Sequence, residues 1–443
     1  MRVALDPVES FGTRRSHGGG IGVFSTRSPF TEGRMNVKAR PDGVRGENKD
    51  MTKRFLALAA IIAALPLSAC ITIPPAYGPA AGTCAAQTAD PAIAKNPVYF
   101  VATGMPDCVA DTPLSLSVLR GSFRPYGEAP PDPVRYGVAT QGAPTLPVLA
   151  LSPATAWQDR LRRDLQAAGN GGKGRVLLYV HGYNTTPAHA LSMADQVAMA
   201  ARFEGPVVAF LWPSQHTLTK YGWDEENARW TQPSFDKALA NLARIAPDVV
   251  LVSHSMGGRI AIDGLRHLQA SAPDLAARVR TVVLAAPDMD RELFDRDVSP
   301  DIVRPGRRVA LFASGHDLAL RSSWAVHGNP RAGDVGCVFR LQRRRGPAIA
   351  QPRCYPVPRG AAGELTVIDG TDIPGTPIGH STYVATPEGR AALRKLLAPG
   401  AVPLPADKGV MLLHLDSPPD CANGPSRLKM DYTVVRCTEK KKR

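Results

Sequence analysis

The sequence has no cysteine pair at zinc-site spacing, no nucleotide-binding or metal-binding motif, no helix-turn-helix or RNA-binding signature and no internal repeat. A zinc module, a nucleic-acid reader and a repeat solenoid are therefore set aside. No metal, no cofactor and no nucleic-acid partner is expected. Cysteine is scarce, seven in 443 residues. The apolar run Phe55–Leu67 is short; a helix needs about 20 such residues to span a bilayer. What is present reads as an ordinary globular chain, 44% hydrophobic and 21% charged. The net charge of +14 describes a basic surface. Such a surface favours anionic membranes in principle, but it is first of all a solvated face.

Residues 51–70 read MTKRFLALAAIIAALPLSAC. Lys53 and Arg54 form a positive start, Phe55–Leu67 an apolar centre, and Leu67-Ser68-Ala69-Cys70 resembles the bacterial lipobox, whose cysteine thiol is acylated. The expected organisation is an upstream extension over 1–50 with translation starting at Met51, a lipoprotein signal over 51–70, a Pro/Ala/Gly-rich tether over 71–96, a catalytic domain over 97–399 and a tail over 400–443. Lipid on Cys70 places the protein in the cell envelope. Ile71, rather than aspartate, after the cysteine favours the outer membrane, facing the periplasm. The six other cysteines, Cys84, Cys108, Cys337, Cys354, Cys421 and Cys437, are an even number in an oxidising compartment. Sequence-local pairing, 84–108, 337–354 and 421–437, is the simplest scheme.

From Arg175 the chain alternates buried-strand runs with helical periodicity. RVLLYV (175–180), PVVAFL (206–211), DVVLV (248–252), TVVLA (281–285), RVALFA (308–313) and ELTVI (364–368) are continuous apolar runs, as expected of strands covered on both faces. Helical spacing follows at Leu191–Ala201, Leu239–Ile245 and Ile260–Leu268, and Thr386-Pro387 opens a last helix through Leu397. Before them, Val98–Val101 and Tyr136–Ala139 read as antiparallel strands. The fold class is α/β, with a mostly parallel central sheet and helices on both faces.

Ser253-His254-Ser255-Met256-Gly257 follows one of these strands and precedes a helix. A nucleophile elbow belongs there: the turn is so tight that the flanking positions must be small. Ser253 stands where glycine is usual, and serine is still small. A serine hydroxyl needs a basic imidazole, and that imidazole needs a carboxylate on its other nitrogen. In chain order Asp317, after the strand 308–313, and His380, after 364–368, take these places. Asp288 and Asp290 are rival acids and His327 a rival base. The oxyanion donors expected are the backbone N–H groups of Met256 and of Tyr183, with Gly182 as the alternative. His181 and His254, at strand ends, read as packing or hydrogen-bonding residues, with a role as base the alternative. Tyr221, Trp223, Trp230 and Phe235 suggest either a pocket wall in an insertion or anchors for a surface excursion. Arg340–Arg345 reads as a solvated loop, with binding of anionic head groups or an anionic substrate as the alternative.

Taken in order, Tyr179–Asn184, Phe210–Ser214, Ser253–Gly257, Ala285–Asp288, Ser314–Leu320, Arg331–Gly333 and Gly379–Ser381 resemble a bacterial family of α/β-hydrolases of unassigned function, esterase/lipase-like. The resemblance implies the alpha/beta-hydrolase fold and a triad of Ser255, Asp317 and His380. It implies no substrate. The expected activity is hydrolysis of carboxylic esters, on small-molecule or lipid substrates, through an acyl-enzyme. An acyltransferase on the same triad and a non-catalytic envelope lipoprotein are the alternatives.

Overall fold

The structure is a computed structural model that describes residues 97–107, 115–120, 134–141, 147–169, 174–334, 336–342, 349–355, 365–371, 373, 378–400 and 410–414. The signal, the tether, Cys84, Cys108, Cys421 and Cys437 lie outside these residues, as do Arg343–Arg345.

Strands β1 (Val98–Ala102), β2 (Gly104–Asp107), β3 (Ser115–Arg120), β4 (Arg135–Gln141) and β5 (Pro147–Ser152) open the fold. Helix α1 (Ala154–Ala167), β6 (Arg175–Val180), α2 (Pro187–Ala201), β7 (Val207–Leu211), α3 (Tyr221–Ile245), β8 (Asp248–His254) and α4 (Gly257–Ser271) follow. The chain then forms β9 (Val279–Ala285), β10 (Arg308–Ala313), α5 (Leu318–His327), β11 (Gly336–Gln342), β12 (Ile349–Tyr355), β13 (Leu365–Asp369), α6 (Pro387–Leu397) and β14 (Val410–His414).

Ten strands form one sheet in the order β14-β13-β10-β9-β8-β6-β7-β1-β4-β5. Among them β4 alone runs against the rest. The apolar runs explain this. Along β6, Val176, Leu178 and Val180 enter one core cluster and Leu177 and Tyr179 the other, so the strand is buried on both faces. Helices must then cover both sides. Strand order reverses between β6 and β8, which makes a crevice beyond their carboxyl ends, the usual ligand position in an open α/β sheet.

The strand expectations hold to within a few residues, and the Thr386 cap of α6 accepts from Gly389 N at 3.1 Å. Three features differ. Helix α3 begins at Tyr221 and carries Pro233 inside it, where an insertion was one of the expectations. Burial of Asn227, Ala228, Thr231, Ser234 and Phe235 on one face overrides the proline. The stretch holding Arg340 is not a plain loop: β11 and β12 pair antiparallel, with the backbone of Cys337 in register with that of Cys354. The tail also returns an apolar strand, β14, to the sheet edge beside β13. Among the described residues no helix is long and apolar enough to cross a membrane.

Candidate active site

Strand β8 ends at His254 and α4 starts at Gly257, so Ser255 occupies the turn between them. Its φ is +52°, in the left-handed region. For a residue with a Cβ this costs about 1–3 kcal/mol, so the surroundings must hold it. They do: Ser255 N donates to Ala285 O at 2.9 Å, and Ser255 O accepts from Gly258 N at 3.0 Å and Asp288 N at 3.2 Å. A Cβ on Gly257 would stand 2.2 Å from His181 O and 2.7 Å from Val180 O, so only glycine fits there. Ser253, the departure from the usual pattern, is fully buried and fits.

Asp317 caps α5, its Oδ1 accepting from Leu320 N at 2.9 Å. Its other oxygen, Oδ2, accepts from His380 Nδ1 at 2.7 Å, and the carboxylate is completely buried. That bond puts the proton of a neutral His380 on Nδ1 and leaves a lone pair on Nε2. Burial opposes charging of the His380 imidazole, but Asp317, and beyond it Asp288, outweigh it and raise the pKa above its ordinary value. Gly379, at φ +71°, lies against the His316 carbonyl, which fixes the loop carrying His380.

His380 meets the elbow through His254, the residue before the serine. The two rings are 4.6 Å apart, and His254 Nε2 donates to His380 O at 3.1 Å. Burial, with the His380 charge second, holds the His254 pKa well below normal, so it stays neutral. Ser255 Oγ makes no hydrogen bond to His380 in this structure; the structure joins His380 to Asp317 and brings the imidazole to the elbow without closing that last link. Such bonds are often loose before substrate arrives.

On the other side, Gly182 packs directly on the serine: a Cβ there would come 2.8 Å from Ser255 Cβ. Among the described residues, neither the Tyr183 N–H nor the Met256 N–H donates to a protein acceptor.

The rivals are engaged elsewhere. Buried Asp288 accepts from Arg331 Nε at 2.8 Å and Ser323 Oγ at 2.6 Å, and from Tyr221 OH. Burial pushes its pKa up, but Arg259 and Arg331 bring it below the ordinary value. Asp290 caps the turn at Arg291, accepting from Leu293 N at 3.0 Å. His327 bonds Glu225 at 2.9 Å rather than the elbow. Of the aromatic residues, Phe235 packs edge-on to Phe210 in the core, Tyr221 packs against Tyr183, and Trp223 is half exposed.

Sequence reasoning missed Asp224. It is fully buried and accepts from Ser214 Oγ at 2.6 Å, Gln215 N at 2.8 Å and Asn184 N at 3.3 Å. It therefore ties the loop after β6 to the loop after β7. Burial raises its pKa, although these donors oppose the shift. Asp334 was missed too; its carboxylate is buried with no hydrogen-bond partner among the described residues, and its pKa is pushed up to about 7 by burial. Among the described residues no cluster of His, Cys, Asp or Glu is arranged to hold a metal ion. A cavity of about 930 Å³, lined by Tyr99, Arg160, Asp164, Met199 and Phe203, lies at the amino ends of β1 and β7, at the opposite edge from Ser255.

A family model described as "Alpha/beta hydrolase of unknown function (DUF900)" matches residues 154–394. No curated protein matches the chain. Among solved structures, a predicted CIB-like hydrolase from Thermoplasma acidophilum is similar at 14% identity, covering 60% of this chain and 92% of that one, with a TM-score of 0.28. An esterase from Pyrobaculum calidifontis is similar at 12%, covering 50% and 74%, with a TM-score of 0.26. The phospholipase PlaB from Legionella pneumophila is similar at 14%, covering 50% and 58%, with a TM-score of 0.27 to 0.29 between its two forms and 13% identity in the second.

Proposed function

Because the chain belongs to the family of alpha/beta hydrolases of unknown function (DUF900), we propose that it is a serine hydrolase of carboxylic esters, with Ser255 as nucleophile, His380 as base and Asp317 as the orienting acid. The observation that carries this reading is the buried Asp317–His380 pair, set at the sheet edge beside a serine in left-handed backbone.

Ser255 Oγ attacks the acyl carbon while His380 Nε2 takes its proton. Asp317 keeps the other ring proton on Nδ1 and stabilises the imidazolium. The tetrahedral oxygen takes its negative charge between the Met256 and Tyr183 N–H groups, which are free to donate. The C–O bond to the leaving alcohol breaks as His380 returns the proton to it. Water then attacks the acyl-enzyme with His380 again as base, and the acid leaves with Ser255 restored.

The rim favours an apolar acyl group. Leu318 and Ile378 are about half exposed and joined by Leu318 N donating to Ile378 O at 2.9 Å, one residue from Asp317 and two from His380. Leu218 is exposed on the other side, next to Thr217, whose carbonyl accepts from Tyr183 OH. A chain-length series of aryl esters tests this. Turnover is expected to rise from acetyl to medium chains and to vanish, by at least about 10³-fold, in Ser255→Ala. Activity that survives the substitution would identify a different nucleophile. We also propose that Cys70 carries lipid and holds the domain at the outer membrane, facing the periplasm, on the strength of the lipobox-like string.

A further inference from the structure

His181 is 1% exposed and sits at the end of β6, directly before Gly182. The Trp212 backbone N–H, which can only donate, reaches its Nε2 at 3.2 Å. Nε2 must therefore hold a lone pair, and the single ring proton is on Nδ1. Nδ1 lies 2.9 Å from the Gly182 carbonyl and donates to it. The Trp212 indole N–H donates back to the His181 carbonyl at 2.8 Å, and the two rings stack at 5.0 Å and 3°. Side chain, ring plane and tautomer are thus all fixed. Burial lowers the His181 pKa to about 4, which keeps this tautomer neutral.

The peptide that His181 grips is the one between Gly182 and Tyr183. Its bond is trans, as none in the described structure is cis. In a trans peptide the N–H points away from the C=O. Holding the Gly182 carbonyl therefore decides where the Tyr183 N–H points. Beyond this peptide the loop is held by other groups: Asn184 N donates to Asp224 and Thr185 N to Ser214 Oγ at 3.1 Å. Among the described residues no other side chain grips the 182–183 peptide itself. Glycine at 182 leaves that peptide free to rotate, so without the imidazole the carbonyl dipole would be free to turn its negative end toward the developing oxyanion.

Resting on the serine-hydrolase reading above, we propose that His181 is a positioning residue: by clamping the Gly182 carbonyl it aims the Tyr183 N–H at the oxyanion. It is neither base nor ligand, and it touches no reacting atom.

The test compares three variants on one aryl ester, with affinity for a trifluoromethyl ketone as a second readout. His181→Leu keeps bulk and removes the donor; kcat is expected to fall roughly 100-fold, the loss typical of one oxyanion donor, with KM within about twofold. Ketone affinity should weaken in step with kcat. His181→Asn offers an amide N–H near the place of Nδ1 and should recover about tenfold or more. His181→Gln reaches toward Trp212 but not the Gly182 carbonyl, and should resemble the leucine variant. If the leucine variant does not fold, the Asn and Gln variants still decide the matter. Wild-type kcat in His181→Leu, or Asn no better than Gln, overturns the proposal while leaving Ser255 chemistry intact. An inactive wild-type protein that a fluorophosphonate never labels overturns the hydrolase reading itself.

Discussion

Ser255, His380 and Asp317 each carry a separate physical requirement. The serine needs a backbone that lifts its hydroxyl clear, the imidazole a lone pair on Nε2, and the carboxylate burial enough to matter. The raised pKa of His380 has a measurable consequence for catalysis. As the proposed base, His380 must be neutral, so kcat/KM should fall as pH drops through a single ionisation lying above 6.5, the ordinary histidine value. A profile that stays flat from pH 8 to 5 would contradict the pair. Stability runs the other way for this residue. With its folded pKa raised, His380 contributes stability that is complete below about 6.5 and is lost as pH rises through the folded value. His181 and His254 have lowered values, so each costs stability as pH falls below about 6.5, where the unfolded chain takes up protons first. Ser255 was legible as a candidate because it directly follows a buried strand, β8; Asp317 and His380 lie four and eleven residues beyond the ends of β10 and β13, and chain order rather than adjacency pointed to them. Asp224 was not: its partners are Asn184, Ser214 and Gln215, and nothing local in Trp223-Asp224-Glu225 announces that loops after two different strands converge on it.

At the scale of elements, the elbow depends on how closely α4 approaches the loop after β6. Gly257→Ala would drive a Cβ into the carbonyls of His181 and Val180. Backbone cannot yield as a side-chain tip does, so the expected cost is at least about 3 kcal/mol, read as a lower denaturation midpoint together with lost activity. An alanine variant as stable as wild type would mean that the helix does not pack as described. Continuous apolar strands such as RVLLYV announced themselves in the sequence because burial on both faces leaves no polar alternation to confuse them. Helix α3 was hidden by Pro233 and by its aromatic first half, where tertiary burial rather than propensity sets the helix. Strand β14 is four apolar residues and a histidine that only pairing with β13 makes recognisable.

For the whole molecule, the sheet divides two hydrophobic clusters and presents two unlike edges. The carboxyl ends gather Ser255, His380 and the loop after β6; the amino ends of β1 and β7 border the cavity near Arg160 and Tyr99. Replacing Cys70 by serine should abolish palmitate incorporation and release the protein into the soluble envelope fraction, with kcat on a soluble ester unchanged. Continued lipid labelling of the Cys70→Ser protein would remove the anchor from that position.

The central claim is that Ser255 is a nucleophile made reactive by His380. The most direct measurement is the intact mass of the folded protein after treatment with a fluorophosphonate, followed by peptide mapping. One adduct on Ser255 is expected, absent from Ser255→Ala and formed much more slowly in His380→Ala. An adduct on another residue, or a folded protein that takes up none, would contradict the account.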